Sequence, residues 1–201
     1  LPVLRLGLAP YSDFVEIILY PEPFSVRRHE TDEDGVAHEF DDVLSGEAMD
    51  GGPVVLAWSD ATGSADAPAA NVVIHEFAHK LDLCDGDADG CPPMPARDRQ
   101  AWMQALDAAY RLFCEEVARV EASIPTDVDP DSEEADAWYE TLPLDPYAAT
   151  DLAEFFAVAT EAFFVEPERF ARRFPDLSRQ FARFFQWQPN ERSGAPDRDP
   201  A

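Results

Sequence analysis

The stretch Asn71–Leu83, NVVIHEFAHKLDL, combines the spacing of an amphipathic helix with a set of metal-binding side chains. His75 and His79 are four residues apart, so a helix places both imidazoles on one face, at a separation that suits a single zinc ion. Glu76 directly follows the first histidine and lies close to the open position of such a site, where it can act as a general base. The alternative is a buried helix with two hydrogen-bonded histidines. The spacing favours a catalytic zinc site.

The charge balance of the chain excludes some classes of partner. Its 201 residues include 41 acidic and only 15 basic side chains, for a formal net charge of -26. Nucleic acid and anionic lipid surfaces are bound through Lys and Arg, so we expect no nucleic-acid partner and no membrane partner. A cationic partner or a solvated acidic surface remains open.

The cysteine count indicates the compartment. Cys84, Cys91 and Cys114 form an odd set without a repeated short spacing, although Cys84 and Cys91 could pair within one loop. Such a set is typical of a reducing compartment. The first residues lack the pattern of a signal peptide, and no apolar run approaches the roughly 20 residues that span a bilayer. We therefore expect a cytoplasmic protein.

The first third of the chain favours β-strands, and the remainder favours helices. Short β-branched or alternating stretches predict strands at Phe14–Tyr20, Phe24–Glu30, Gly35–Leu44 and Pro53–Ser59. Apolar residues at helical spacing predict helices at about Ala69–Leu83, Asp98–Ala122, Asp151–Val165 and Glu168–Phe185. Residues 123–146 are acidic and proline-rich and are expected to be irregular. The predicted fold class is α+β, with a small, mostly antiparallel N-terminal sheet followed by a helical part.

Two histidines alone do not hold a catalytic zinc, and the phenylalanine-rich helix offers the missing ligand. Its residues Glu154 and Glu161 are seven apart and return to nearly the same helical face. A carboxylate in so apolar a helix is costly to bury unless it is coordinated or paired. We therefore expect one of them to be the third ligand and the other to orient a zinc-bound imidazole. Asp82 is a second candidate for that outer role.

The acidic loop at residues 85–90, DGDADG, matches the opening of a calcium-binding loop. The twelfth position of such a loop requires a bidentate Glu, but here it is Ala96, and two prolines intervene. A turn that ends the zinc-site helix is the favoured interpretation.

Four stretches together resemble the Mlc titration factor A family: NVVIHEFAHKLD, GPVVLAWSD, LDPYAATDLAEFFAVATEAFF and DGDADGCPPMP. These are bacterial zinc metallopeptidases of the gluzincin type, related in their catalytic domain to the anthrax lethal factor. The resemblance extends from Leu1 to Phe185 and implies a zincin-like metallopeptidase domain over residues 1–188, with a polar, disordered tail at 189–201. Family members usually carry a further segment before the position of Leu1.

The resemblance also assigns roles to residues. It implies that His75, His79 and Glu154 bind one Zn²⁺ per chain, which selects Glu154 over Glu161, and that Glu76 is the general base. Tyr147, seven residues before Glu154, corresponds to the active-site tyrosine that stabilises the oxyanion. In gluzincins a strand like that at residues 54–58 edges the cleft and pairs with an extended peptide; an ordinary buried strand is the alternative.

Two functions follow from the resemblance, and they belong to different classes. The first is a zinc-dependent peptidase, aminopeptidase-like, that cleaves peptide substrates. The second is regulation of the glucose phosphotransferase system through binding of the transcriptional repressor Mlc or an equivalent, in which catalysis is not required. A purely structural zinc domain would need a fourth protein ligand, and the sequence has no cysteine positioned to supply it.

Overall fold

The computed structural model describes residues 6–8, 11, 15–31, 37–63, 71–130, 132 and 134–187 of the chain. The predicted polar tail at 189–201 lies outside these residues, as do the first residues of two predicted strands and of the first predicted helix. Within the described ranges, no helix is long and apolar enough to cross a lipid bilayer.

Five strands form two small sheets in the described part of the N-terminal region. They are β1 (Ile17–Tyr20), β2 (Phe24–Thr31), β3 (Ala37–Leu44), β4 (Gly46–Ala48) and β5 (Val54–Ala57). Strands β2 and β3 form an antiparallel hairpin, whereas the other sheet has the order β1-β5-β4, with β1 parallel and β4 antiparallel to β5. Two of these three pairings are antiparallel, which confirms the predicted sheet.

Helices dominate the rest of the described chain, which confirms the α+β class. They are α1 (Trp58–Gly63), α2 (Val72–Asp82), α3 (Ala96–Glu121), α4 (Asp136–Tyr139), α5 (Leu152–Val165), α6 (Pro167–Arg173) and α7 (Pro175–Phe184). Short 3₁₀ helices lie at Leu83–Asp85 and Pro146–Ala149.

Three local predictions were wrong. The predicted helix at Glu168–Phe185 is two helices, because Phe174 leaves the helical region at φ -126° and ψ 64° and the ring of Pro175 then starts a new helix. The short helix α1 replaces the end of the predicted fourth strand, and α4 lies in the segment that we expected to be irregular. Both are brief turns whose composition carries little periodic signal.

Helix α5 is the centre of the hydrophobic core. Its side chains Phe155, Phe156 and Phe163 are fully buried and contact aromatic residues of the flanking helices, among them Trp102 and Phe181. Burying one such side chain contributes about 1.5–3 kcal/mol. Because apolar packing surrounds α5 on most sides, the polar groups that it carries are held in fixed positions.

The loop after α2 ties three helices together through Gly90. Its N–H donates a 2.8 Å hydrogen bond to the buried carboxylate of Asp82, and its carbonyl accepts one of 2.8 Å from Trp102 Nε1. Gly90 has a φ of +77°, and a Cβ there would lie 2.7 Å from Leu106 Cδ2 and 2.8 Å from the Leu152 carbonyl oxygen. Only glycine satisfies both the backbone angle and the close approach.

We expect the Gly90→Ala variant to unfold about 3 kcal/mol more easily than the wild type, because it combines a left-handed backbone with an overlap against α3 and α5. Gly86→Ala is the matched control: its φ is +94°, but no atom lies within 4 Å of the added Cβ. That control should lose only about 1 kcal/mol. Chemical denaturation measures both, and equal losses would show that the close approach does not matter.

Candidate metal centre

Helix α2 begins with a side-chain cap and presents its two histidines on one face. The Asn71 side chain accepts a 3.0 Å hydrogen bond from Ile74 N, which satisfies one of the free N–H groups at the helix start. One turn apart, His75 and His79 have ring centroids 4.7 Å from each other and Nε2 atoms 3.0 Å apart. The two Nε2 lone pairs can therefore converge on one ion.

Glu154 completes the cluster from the first turn of α5. The Asp151 carboxylate caps this helix by accepting hydrogen bonds from Ala153 N and Glu154 N. Glu154 Oε2 then lies 3.2 Å from the Nε2 atoms of both His75 and His79. The sequence-predicted ligands are thus brought together.

The spacing of these three ligand atoms fits a zinc ion. Tetrahedral zinc with bonds of about 2.05 Å places its ligand atoms roughly 3.3 Å apart, and the observed separations are 3.0–3.2 Å. Throughout the described ranges, His75, His79 and Glu154 are the one group of three or more His, Cys, Asp or Glu residues close enough to hold a metal. The acidic loop at residues 85–90 contains no such group.

Glu161 lies behind the cluster and uses both carboxylate oxygens. Its Oε1 is 2.8 Å from His75 Nδ1, and its Oε2 accepts a hydrogen bond from the backbone N–H of Asn71. Because a carboxylate accepts, Nδ1 carries a proton, so Nε2 is the nitrogen through which His75 would bind a metal ion. Carboxylate contacts of this kind fix the tautomer and orientation of metal-binding imidazoles.

The electrostatics of the cluster favour a positive charge. Burial disfavours a charged His75, but hydrogen bonds to Glu154 and Glu161 raise the pKa of His75 to about 10. Burial likewise disfavours a charged Glu154, yet hydrogen bonds to both histidines lower the pKa of Glu154 to about 2. A buried site that stabilises positive charge this strongly suits a cation.

Glu76 lies next to the cluster and is kept less acidic than Glu154. Burial, together with the charges of Glu154 and Glu47, raises the pKa of Glu76 to about 7 against the opposing effect of the histidines. Its side chain lies against strand β4, where a Cβ on Gly46 would come within 2.5 Å of Glu76 Oε1. A carboxylate with a pKa near neutrality is suited to accept and return a proton.

Tyr147 approaches the same cleft from the 3₁₀ helix at Pro146–Ala149, and its backbone N–H donates a hydrogen bond to the Asp145 side chain. Its ring centroid lies 6.4 Å from that of His75. Burial, then the charge of Glu154 and a hydrogen bond to it, raise the pKa of Tyr147 to about 12. The phenol therefore remains protonated at neutral pH and can donate a hydrogen bond.

The sequence and its relatives assign this arrangement to a family. Residues 1–186 match the glucose-regulated metallo-peptidase M90 family. The chain belongs to that family. It is 42% identical over 190 residues to the Mlc titration factor A of Serratia proteamaculans and 40% identical over 193 residues to that of Salmonella typhi. These alignments cover 94% and 96% of this chain and 66% of each relative. The resemblance seen in the sequence is confirmed.

Asp82 contacts the loop after α2, and no hydrogen bond to either histidine ring is present among its described contacts. Its carboxylate binds Gly90 N, and burial raises its pKa to about 7 while that hydrogen bond and the charge of His79 oppose the rise. Its outer-sphere role therefore stays a prediction.

In this M90-family chain the strand that borders the cleft is β4. This corrects the interpretation in which the strand at residues 54–58 edges the cleft. Strand β5 is buried and paired on both sides, so it is the ordinary interior strand. Cavities of about 450 and 370 Å³ adjoin the cluster, and both are lined by Leu44, Gly46 and Tyr147. Sequence reasoning missed Gly46 and its neighbour Glu47, because a strand of three residues leaves too short a pattern.

We expect the Glu161→Gln variant to bind zinc roughly 10- to 100-fold more weakly, as found when such outer partners are lost. Both carboxylate oxygens accept hydrogen bonds, whereas an amide offers one acceptor and directs an NH₂ group at a donor. Competition with a chelator of known affinity measures the change. Glu168→Gln, at an exposed position of helix α6, is the control. Unchanged zinc affinity in Glu161→Gln would contradict the orienting role.

Proposed function

We propose that this chain is a zinc-dependent peptidase in which His75, His79 and Glu154 hold one Zn²⁺. The observation that carries the proposal is the close approach of three ligand atoms beside Glu76, at the wall of an open cleft. When bound, zinc supplies a Lewis acid that polarises a carbonyl group and lowers the pKa of water. None of the three cysteines belongs to the described cluster, which favours a catalytic over a closed structural site.

Glu76 handles the proton in this proposal. It takes a proton from the attacking water and later delivers it to the leaving amine, so one group serves as base and then as acid. Its burial against β4 supports this role, because a desolvated carboxylate holds a proton more readily than an exposed one. The neighbouring carboxylate of Glu154, which is bonded to two histidines, stays ionised and is suited to hold the cation.

Tyr147 stabilises the negative charge that develops on the carbonyl oxygen. Its hydroxyl remains a donor at neutral pH, and its ring lies beside that of His75 on the cleft side. A hydrogen bond aimed at a developing oxyanion strengthens in the transition state and therefore raises kcat.

Strand β4 provides the binding edge for the peptide. Among the described strands, it pairs with β5 on one side only, which leaves backbone N–H and C=O groups of Gly46–Ala48 available on the other. An extended peptide can add to such an edge by main-chain hydrogen bonds. The close contact between Gly46 and Glu76 supports this placement, because it brings the edge next to the general base.

The first test combines metal content with hydrolysis of an unblocked peptide library. We expect one zinc per wild-type chain by elemental mass spectrometry, loss of zinc in His75→Ala and Glu154→Ala, and retention of zinc in Glu76→Gln. Glu76→Gln should lower kcat at least about 100-fold, since it removes general acid–base catalysis. Zinc retained in Glu154→Ala would contradict the ligand set, and full activity of Glu76→Gln would contradict the mechanism.

Replacing Tyr147 by Phe should lower kcat by about 100- to 1000-fold with little change in KM, because the lost hydrogen bond acts mainly in the transition state. Tyr20→Phe removes a hydroxyl from an exposed residue of strand β1 and should leave kcat unchanged. Steady-state kinetics on one peptide measures both variants. A rise in KM alone would instead indicate a role in substrate binding.

A second function is binding of the Mlc repressor or an equivalent protein. It is supported by the name of the relatives, Mlc titration factor A, at 40–42% identity. Such a partner would place the chain in the cytoplasm. The Glu76→Gln variant separates the two functions: repressor binding that survives without hydrolysis would show that catalysis is not required. If Glu76→Gln loses repressor binding together with hydrolysis, repressor binding depends on the catalytic site.

A further inference from the structure

We propose that Glu47 binds the free α-ammonium group of the peptide substrate, and so restricts this site to aminopeptidase substrates. This inference rests on the proposed peptidase function and names the residue that would select the substrate. Glu47 lies on strand β4, opposite Val55 of β5. It lines the same cavity as the metal-binding cluster.

Distance limits which carboxylate can take this role. In the first residue of a peptide, the α-nitrogen is only about 2.5 Å from the carbonyl carbon of the bond to be cut. The anchor must therefore lie within the cavity of the cluster itself. Glu47 meets this condition, because it lines one cavity together with Glu76 and Glu154. Its side chain is only 17% exposed, so its charge is weakly screened by water.

The other carboxylates around the cluster already have partners or tasks. They are Asp42, Glu76, Asp145, Asp151, Glu154 and Glu161. Asp145 and Asp151 cap helix starts. Glu154 contacts both histidines, Glu161 holds the His75 ring, and Glu76 is the proposed general base. Asp42 is 42% exposed on strand β3, outside the cavity that contains the whole cluster. Glu47 is the remaining carboxylate of that cavity.

Arg28 contacts Glu47 without cancelling the charge of the region. Its guanidinium lies 3.1 Å from Glu47 Oε1 and 3.8 Å from Asp42 Oδ2. One cation thus faces two carboxylates, and the three side chains keep a net charge of about -1 at neutral pH. This surplus attracts one more cation. It also disfavours binding of a substrate carboxylate to Arg28, whose charge is already matched.

The test compares the peptide Ala-Ala-Ala-amide with its N-acetylated form. We expect the wild type to cleave the free peptide at least about 10-fold more efficiently, the size of a lost charged hydrogen bond. Glu47→Gln should lower kcat/KM for the free peptide by about 10- to 100-fold, mainly through KM, and leave the acetylated peptide unchanged. Asp41→Asn is the matched control, because it removes an exposed carboxylate that pairs with Arg27 on the same hairpin.

Two further readouts separate substrate binding from a merely structural effect. In the wild type, kcat/KM for the free peptide should fall above pH about 8, where the α-ammonium loses its proton; in Glu47→Gln this fall should disappear. By calorimetry, the Glu76→Gln variant should bind the free peptide more tightly than the acetylated one, without turnover. Adding the Glu47→Gln change should remove this difference. Zinc content should remain one per chain in every variant.

The outcomes distinguish this inference from the peptidase proposal. If the zinc-loaded wild type cleaves neither peptide nor any member of the library, the peptidase proposal fails. If it cleaves free and acetylated peptides equally, or if Glu47→Gln lowers both equally, the peptidase stands and the role of Glu47 is overturned. Arg28→Gln is the second variant and should retain or increase the preference for the free amine. A loss of preference in Arg28→Gln would likewise contradict the inference.

Discussion

The buried carboxylate of Glu161 is the contact on which the arrangement of the site depends. It joins α5 to α2 at two points, the ring of His75 and the backbone N–H that precedes the helix. Burying a carboxylate without partners costs several kcal/mol, and Glu161 avoids this cost because each of its two oxygens accepts a hydrogen bond. With α5 fixed by its phenylalanines, the two contacts set the rotation of α2 and thereby direct His75 and His79 at Glu154.

The two histidines on one helix could be predicted from the sequence as a ligand pair. The different roles of Glu154 and Glu161 could not be predicted from their spacing. The four-residue spacing of His75 and His79 forces both rings onto one helical face wherever the helix packs. Glu154 and Glu161 share a face equally well, and spacing alone left both open as ligands. The structure separates them because the imidazole of His75 lies between the two: Glu154 is near Nε2, and Glu161 is near Nδ1.

Strand β4 shows what sequence patterns cannot supply. Gly46–Ala48 has little intrinsic preference for a strand, and it is one because β5 offers an unpaired edge. The same limit explains why the sequence left open whether residues 54–58 edge the cleft, since their apolar run marks burial and not position in the sheet. The helices were predicted well where apolar periodicity is long, as in α3 and α5, and failed at Pro175, which divides the last one.

The glutamates of this cleft are chemically identical, and their surroundings make them different. Glu154 accepts from two histidines and has a pKa of about 2, so it keeps its charge; Glu76 is buried against a glycine and has a pKa of about 7, so it can exchange a proton. Separating the acidities of neighbouring carboxylates is how proteins assign acid and base roles. Here the separation depends on Gly46, since any larger side chain would displace Glu76 from the buried position that raises its pKa. The three-residue strand that carries little sequence signal thus sets the chemistry of the most recognisable motif.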